Sequence, residues 1–366
     1  MNKLNNLQIL RAIAASSVVF THAFMTYSEK IQQTESYYYN HGGDLGVKLF
    51  FCISGFIIYR SAMQLETAKN QAYYFLIRRL IRIAPIYWIA TLVYVYKDIL
   101  LGMFPNGQEL LFSLFFLPFI RDDLGLMRPV LGLGWSLNYE MFFYVVLSIS
   151  IFITTQRRFT FILGVLLIFL ILFHDGSAYE RRDIYEYGYQ LLATNYLYYF
   201  IVGMAVGKFG NSLLRYVYSF SGSLIPLLIV FEIGLYLTIL SVFESFRLYS
   251  EILDLILCTV ILCQSYVADV TQKADRKPYS RIKSSLILAG DGSYSTYLFH
   301  WLLLGITARI ITFFDITIAP LTYAVNMVVL CNIMGILMYT YIEKPLTASL
   351  NTRYAKKVKY KYQPVK

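Results

Sequence analysis

Two residues near the start of the chain have types and a spacing that suit proton and group transfer. Arg11 and His22 are eleven residues apart in one apolar stretch. Eleven helical residues make three turns plus roughly 20°, so both side chains should share a helix face, roughly 16 Å apart along its axis. Ionisable groups at membrane depth are costly and therefore suggest function. A cation at one end and an imidazole deeper inside would suit an extended ligand with an anionic head and a reactive tail, such as a coenzyme A thioester.

The role predicted for His22 is that of a general base, because imidazole titrates near neutral pH and can accept a proton from a hydroxyl. The alternative is a packed histidine bonded to a neighbouring carbonyl. Arg11 on the same predicted face favours the functional interpretation.

A basic segment precedes Pro85 and contains Arg78, Arg79 and Arg82. Positions 78 and 82 are expected to share a helix face. Guanidinium groups bind phosphate through paired hydrogen bonds, so these residues and Arg11 are predicted to hold the phosphates of acyl-CoA. The alternative is that the segment only anchors a cytoplasmic loop.

Glu140 lies at the predicted outer end of its span, shortly after Trp135 and Ser136. Its carboxylate is predicted to orient the base or accept a hydroxyl proton. The alternative is a carboxylate that reaches the membrane interface. Lys48 is expected to pair with Asp44, one helical turn earlier.

Composition identifies the class of protein in which these residues are placed. Of 366 residues, 57% are hydrophobic and only 15% are charged. In soluble domains, about half of the residues are apolar and about a quarter are charged. Disordered, collagen-like and disulfide-stapled scaffolds are excluded, and a polytopic membrane protein is expected. The net charge of +10 is interpreted as basic cytoplasmic loops rather than nucleic-acid binding. The four cysteines lie in apolar runs without a ligand pattern, so neither a disulfide nor a metal site is expected.

Apolar runs of about twenty residues, the length needed to cross a bilayer, predict an all-α protein with ten transmembrane helices. The predicted spans are 5–26, 44–63, 84–102, 132–153, 159–174, 189–208, 222–243, 250–269, 286–308 and 318–341. The run at 109–120 is too short to span and is predicted to be re-entrant or interfacial.

The distribution of basic residues predicts the orientation of these spans. With the N-terminus inside, most of the 32 lysines and arginines fall on inner loops, whereas outer loops such as 175–186 are mixed or acidic. Both termini are therefore predicted to be cytoplasmic. Residues 1–345 form the predicted transmembrane domain. Residues 346–366 form a basic cytoplasmic tail expected to contact anionic membrane lipids.

Several short motifs resemble those of the acyltransferase-3 family of integral membrane acyltransferases. Residues 6–22 resemble its opening Arg-x10-His signature, 46–56 its second-helix motif, and 78–87 its Arg-Arg-x-x-Arg motif with the following Pro-x-Tyr. Further matches are Trp135-Ser136-Leu137 with Glu140 and Tyr144, Gly290, Ser293-Tyr294, Tyr297-Leu298 to His300, and Glu343-Lys344-Pro345. The matches run in the expected order over most of the chain. One departure is Lys48, where the family commonly has an acidic residue.

This resemblance implies a ten-helix domain in a bacterial cytoplasmic (inner) membrane. Its implied activity is transfer of an acyl group, usually acetyl from acetyl-CoA, to a hydroxyl of a cell-surface glycan or its lipid-linked precursor. Trp135, Ser136, Tyr294 and His300 are expected to contact substrate or shape the site. Direct transfer and an acyl-enzyme on His, Ser or Tyr both remain open.

Two other functional classes fit a polytopic chain with buried charges. A transporter or flippase of a polysaccharide precursor would also carry intramembrane ionisable groups, but such folds often contain inverted repeats, and no symmetry between the halves is evident here. A binding or scaffold protein without activity is the third class.

Overall fold

The computed structural model describes residues 4–34, 40–65, 69–104, 106–117, 119–121, 126–153, 157–172, 196–217, 250–271 and 280–361. These residues are helical except for connecting segments and one small antiparallel hairpin, in which Ile120 pairs with Met127 and Arg121 with Leu126. The predicted all-α class therefore describes the architecture of these residues apart from this two-residue-per-strand hairpin.

Twelve α-helices are numbered here in chain order within the described ranges. They are α1 (Asn5–Thr26), α2 (Asn40–Ala62), α3 (Lys69–Leu100), α4 (Gly107–Leu114), α5 (Trp135–Ile153), α6 (Arg158–Leu172), α7 (Tyr196–Val217), α8 (Ser250–Thr271), α9 (Arg281–Asp291), α10 (Ser293–Phe313), α11 (Pro320–Met338) and α12 (Lys344–Lys361). Strands β1 (Ile120–Arg121) and β2 (Leu126–Met127) lie between α4 and α5. A 3-10 turn (Gly132–Gly134) precedes α5, and π-helical turns extend α1 (Tyr27–Gln32) and join α11 to α12 (Tyr339–Glu343).

Within the described residues, six helices are long and apolar enough to cross a membrane. They are Asn5–Gln32, Gly43–Ala62, Gly132–Ile153, Glu251–Val270, Ser293–Phe313 and Pro320–Ala355. These six overlap predicted spans, whereas the predicted span 222–243 lies outside the described residues. The chain is a multi-pass membrane protein by these helices, and the total of ten stays a prediction.

Two predicted spans are divided differently in the structure. The span predicted at 286–308 is interrupted, because α9 ends at Asp291 and α10 begins at Ser293. A Cβ on Gly292 would lie 2.8 Å from the Gly335 carbonyl oxygen, so glycine at this position lets the start of α10 approach α11 closely. The span predicted at 84–102 is the second part of α3, which starts at Lys69 and continues through Pro85.

Helix α1 lies at the centre of the bundle and packs against α2, α8, α9, α10 and α11. Its N-terminus has no side-chain cap of its own. Instead, the Asp269 carboxylate of α8 accepts hydrogen bonds from the backbone N–H groups of Asn6 at 2.8 Å and Leu7 at 3.1 Å. A carboxylate at this end also complements the helix dipole. These bonds fix the axial position of the helix that carries Arg11 and His22.

Helices α2 and α7 approach each other closely because each has glycine at the contact. A Cβ on Gly203 would lie 2.0 Å from the Cys52 carbonyl oxygen, and one on Gly55 would lie 2.2 Å from that of Phe200. Small residues at helix crossings allow this backbone approach in membranes.

The predicted pairing of Lys48 with Asp44 is confirmed, with Nζ 2.6 Å from the carboxylate. The same Nζ also lies 2.8 Å from Glu251 and 2.6 Å from Asp254, both on α8. The Lys48 side chain is only 3% exposed. This cluster therefore ties α2 to α8 through charged groups.

The predicted basic tail is helical as far as Lys361. It packs beside the start of α3, where the Tyr354 ring stacks on Tyr74 with centroids 5.8 Å apart. The C-terminal basic residues and the arginines of α3 consequently lie at the same end of the bundle.

Candidate active site

A first cavity lies between α1, α2, α3, α5 and α10 and holds about 830 Å³ of unfilled space, its open mouth included. Much of its wall is aliphatic, with Ile53, Ile57 and Ile83 among its lining residues. We call it the arginine cavity because Arg11, Arg79 and Arg82 line it.

The arginines of this cavity face aromatic and acidic side chains. The Arg79 guanidinium lies over the rings of Phe75 and Tyr144, 5.3 and 5.9 Å from their centroids. Tyr144 donates a 2.5 Å hydrogen bond to Oε1 of Glu140, and both residues line the cavity. The cavity thus combines three guanidinium groups with one carboxylate.

Arg78 does not line the arginine cavity. It is exposed, and its Nη1 donates a 3.0 Å hydrogen bond to the Tyr74 hydroxyl. The residue that shares the cavity face with Arg82 is Arg79, three positions away, rather than Arg78 as expected. Residues three apart are also neighbours on a helix, so spacing alone did not distinguish the two.

Hydroxyl groups complete the wall of the arginine cavity. Tyr294 donates to the Ile83 carbonyl at 2.9 Å, and the Ser136 hydroxyl lies 2.9 Å from that of Tyr297. Ser293 is fully buried, and its Oγ has no hydrogen-bond partner in the described part of the chain. A buried hydroxyl without a partner is uncommon, so Ser293 is available to bind a ligand.

A second cavity, the histidine cavity, holds about 1720 Å³ of unfilled space including its opening. His22 of α1 lines it together with five aromatic residues, Tyr94, Trp135, Tyr196, Tyr297 and Trp301. Its charged lining residues are Asp44, Lys97, Asp98 and Arg128. Lys97 and Asp98 pair with each other at 2.8 Å.

The His22 ring contacts two residues of α10. Its Nδ1 lies 2.8 Å from Nε2 of His300 and 3.0 Å from Nε1 of Trp301. The two imidazole planes differ by 4°. His300 is completely buried, and its Nδ1 lies 2.7 Å from the Tyr297 carbonyl oxygen.

The two cavities adjoin each other, because Val47 and Tyr297 line both. Arg11 and His22 are on one continuous helix, yet Arg11 lines the arginine cavity and His22 the histidine cavity. Glu140 is on the arginine side and does not share a cavity with His22. The structure therefore brings Glu140 together with Arg11, Arg79 and Arg82, and brings Trp135 and His300 together with His22.

Three residues that line the histidine cavity were assigned no role from the sequence. Tyr297 lies about one helical turn before His300, and Trp301 directly follows it. Their positions indicate a place in the site only once His300 is taken as a candidate. Arg128 directly follows the β2 strand, and nothing in its local pattern indicates that it lines the cavity with His22.

A group of carboxylates beside the histidine cavity has oxygens close enough to hold a metal ion. One oxygen from each of Asp44, Glu251 and Asp254 lies within 4.8 Å of the others. The Lys48 ammonium bonds all three, so this group already has a cation.

Comparison with known proteins gives two matches. The acyltransferase-3 family model, described as an acyltransferase domain, matches residues 4–340. The exopolysaccharide production protein ExoZ of Rhizobium meliloti (strain 1021) is 29% identical over 313 residues, covering 83% of this chain and 89% of that protein. No solved structure matches the chain.

Proposed function

The chain belongs to the acyltransferase-3 family, whose domain covers residues 4–340, and from this premise we propose that it is a membrane O-acetyltransferase. Its donor is cytoplasmic acetyl-CoA. Its acceptor is a hydroxyl of a cell-surface glycan or of a lipid-linked precursor. The similarity to a protein named for exopolysaccharide production supports a glycan acceptor.

The observation that carries this proposal is the pair of adjoining cavities with different linings. Arg11, Arg79 and Arg82 would bind the phosphates of the donor, since guanidinium groups suit phosphate geometry. The aliphatic wall around Ile53 would contact its pantetheine arm. Ser293 would hydrogen-bond the same ligand, because its hydroxyl lacks a partner among the described residues.

The histidine cavity would bind the acceptor. The rings of Trp135 and Trp301 offer flat faces to a sugar, and the carboxylates of Asp44 and Asp98 can accept hydrogen bonds from hydroxyl groups. Because Val47 and Tyr297 line both cavities, the thioester of one ligand and the hydroxyl of the other could meet there.

In the proposed reaction, His22 removes the proton of the acceptor hydroxyl as its oxygen attacks the thioester carbonyl. The tetrahedral intermediate then collapses, its carbon–sulfur bond breaks, and the thiolate takes the proton back from the His22 imidazolium. General-base catalysis of this kind contributes about 10²–10⁴-fold in rate. Glu140 would act on the donor side, beside the arginines, and no metal takes part.

The test uses purified protein in lipid nanodiscs with radiolabelled acetyl-CoA and a glycan acceptor. Wild-type protein should label the glycan, and His22→Ala should lower the rate by about 10²–10⁴-fold while its thermal unfolding is unchanged. Transfer by His22→Ala at the wild-type rate would exclude His22 as the base. Glycan flux into vesicles without CoA consumption would favour the transporter instead.

A further inference from the structure

The His22–His300 contact determines where the protons lie on both rings. Nδ1 of His300 faces two carbonyl oxygens, those of Tyr297 at 2.7 Å and Thr296 at 3.3 Å. Carbonyl oxygens only accept hydrogen bonds, so Nδ1 of His300 must carry a proton. In a neutral His300 ring, Nε2 is therefore the unprotonated acceptor.

The donor to this acceptor is Nδ1 of His22. The two nitrogens are 2.8 Å apart, and the rings are coplanar within 4° with centroids 5.1 Å apart. This edge-to-edge geometry points an N–H of one ring along the lone pair of the other. With its proton on Nδ1, a neutral His22 ring has its lone pair on Nε2.

The alternative is that Trp301 is the donor to Nδ1 of His22, across 3.0 Å. Nδ1 of His22 and Nε2 of His300 would then be two lone pairs 2.8 Å apart. Only a proton on His300 would relieve this repulsion, and it would place a cation on a side chain with 0% exposure. Burying an unpaired charge is very costly, whereas Trp301 is 38% exposed and can donate into the cavity instead.

We propose that His300 is a positioning residue that holds His22 with its proton on Nδ1 and leaves Nε2 as the basic nitrogen facing the histidine cavity. This inference rests on the proposed function, since it assigns the nitrogen that accepts the hydroxyl proton. His300 stays neutral throughout, and it continues to accept the Nδ1–H bond when His22 becomes an imidazolium. Catalytic histidines are commonly held in one tautomer in this way, by a hydrogen bond from the other ring nitrogen to a third group.

Histidine nitrogen NMR tests the tautomers without any activity measurement. The chain has four histidines, so a His41→Gln/His174→Gln background labelled with ¹⁵N-histidine would show only His22 and His300. Both rings should be neutral and protonated on Nδ1, with a scalar coupling across the hydrogen bond between them. A His22 proton on Nε2, or no coupling, would overturn the proposal even if the enzyme acetylates glycan.

Kinetics with substituted proteins test the positioning role itself. His300→Gln keeps an acceptor oxygen near the position of Nε2, whereas His300→Leu removes it. The leucine variant should lose about 10–100-fold in kcat with an unchanged KM for acetyl-CoA, as expected for a misplaced catalytic group. The glutamine variant should recover most of that loss.

These outcomes separate the two proposals. If His300→Leu and His300→Gln both keep the wild-type kcat, or if His300→Gln loses as much as His300→Leu, the positioning role is wrong. If His22→Ala is active but the NMR tautomers are as described, the base assignment fails and the His22–His300 geometry stands.

Discussion

At the scale of single residues, neighbouring arginines on α3 have different surroundings. Arg79 lines the arginine cavity beside Tyr144, while Arg78 is exposed and bonded to Tyr74. Their chemistry is identical, so any difference between them in function must come from placement. This makes Arg78 a control for Arg79 within the same helical turn.

Arg79→Ala should raise the KM for acetyl-CoA by about tenfold or more, because a hydrogen bond to a charged group is worth about 1.5–3 kcal/mol. Arg78→Ala should leave that KM within about twofold of wild type. Initial rates at varied acetyl-CoA concentration measure both. Equal effects of the two substitutions would mean that the cavity does not bind the donor phosphates.

The residue types in the candidate site could be found from the sequence, but their grouping could not. The helical period predicted a shared face for Arg11 and His22, and both are on α1. The spacing did not reveal that Val47 and Tyr297, from other helices, lie where the cavity of Arg11 adjoins that of His22. Such contacts depend on how helices cross, and a sequence pattern records only the face of its own helix.

At the scale of helices, the Lys48 cluster shows most clearly that a sequence pattern does not reveal contacts between helices. Lys48 and Asp44 are four residues apart, so their pairing follows from helical geometry. Glu251 and Asp254 are on α8, about two hundred positions later, and no local signal connects them to α2. Hydropathy likewise missed the interruption at Gly292, because a window average does not register one residue that ends a helix.

Lys48→Met should destabilise the protein by about 3–5 kcal/mol, the usual cost of removing one partner from a buried ion pair. The Asp254 side chain is only 2% exposed and would lose its bond to the ammonium. Thermal unfolding in detergent measures the effect. Lys48→Arg should unfold near the wild-type temperature because the positive charge remains.

A second substitution distinguishes charge burial from lost packing. Combining Lys48→Met with Asp254→Asn should recover part of the stability, since the buried carboxylate is then neutral. Glu251→Gln alone should cost less, because the Glu251 side chain is 45% exposed. If the double substitution is no more stable than Lys48→Met, the cluster does not stabilise the fold through its charges.

At the scale of the whole molecule, basic residues collect at one end of the bundle. Arg158 at the start of α6 donates to the Ala62 carbonyl at the end of α2, 2.7 Å away. Lys208 of α7 lies 4.0 Å above the Phe159 ring of α6. The basic α12 packs beside the start of α3 at Tyr74. By the positive-inside rule, this end should face the cytoplasm, the compartment that supplies acetyl-CoA.

The two ends of the Pro320–Ala355 helix provide the test of this orientation. Asp315 precedes it and Thr352 is close to its far end, and both are exposed. In a cysteine-free background, Asp315→Cys should react with an impermeant maleimide added to intact cells. Thr352→Cys should react only after the membrane is permeabilised. The reverse pattern would place the arginine-bearing start of α3 outside, away from cytoplasmic acetyl-CoA, and would contradict the proposed direction of transfer even if the purified enzyme is active.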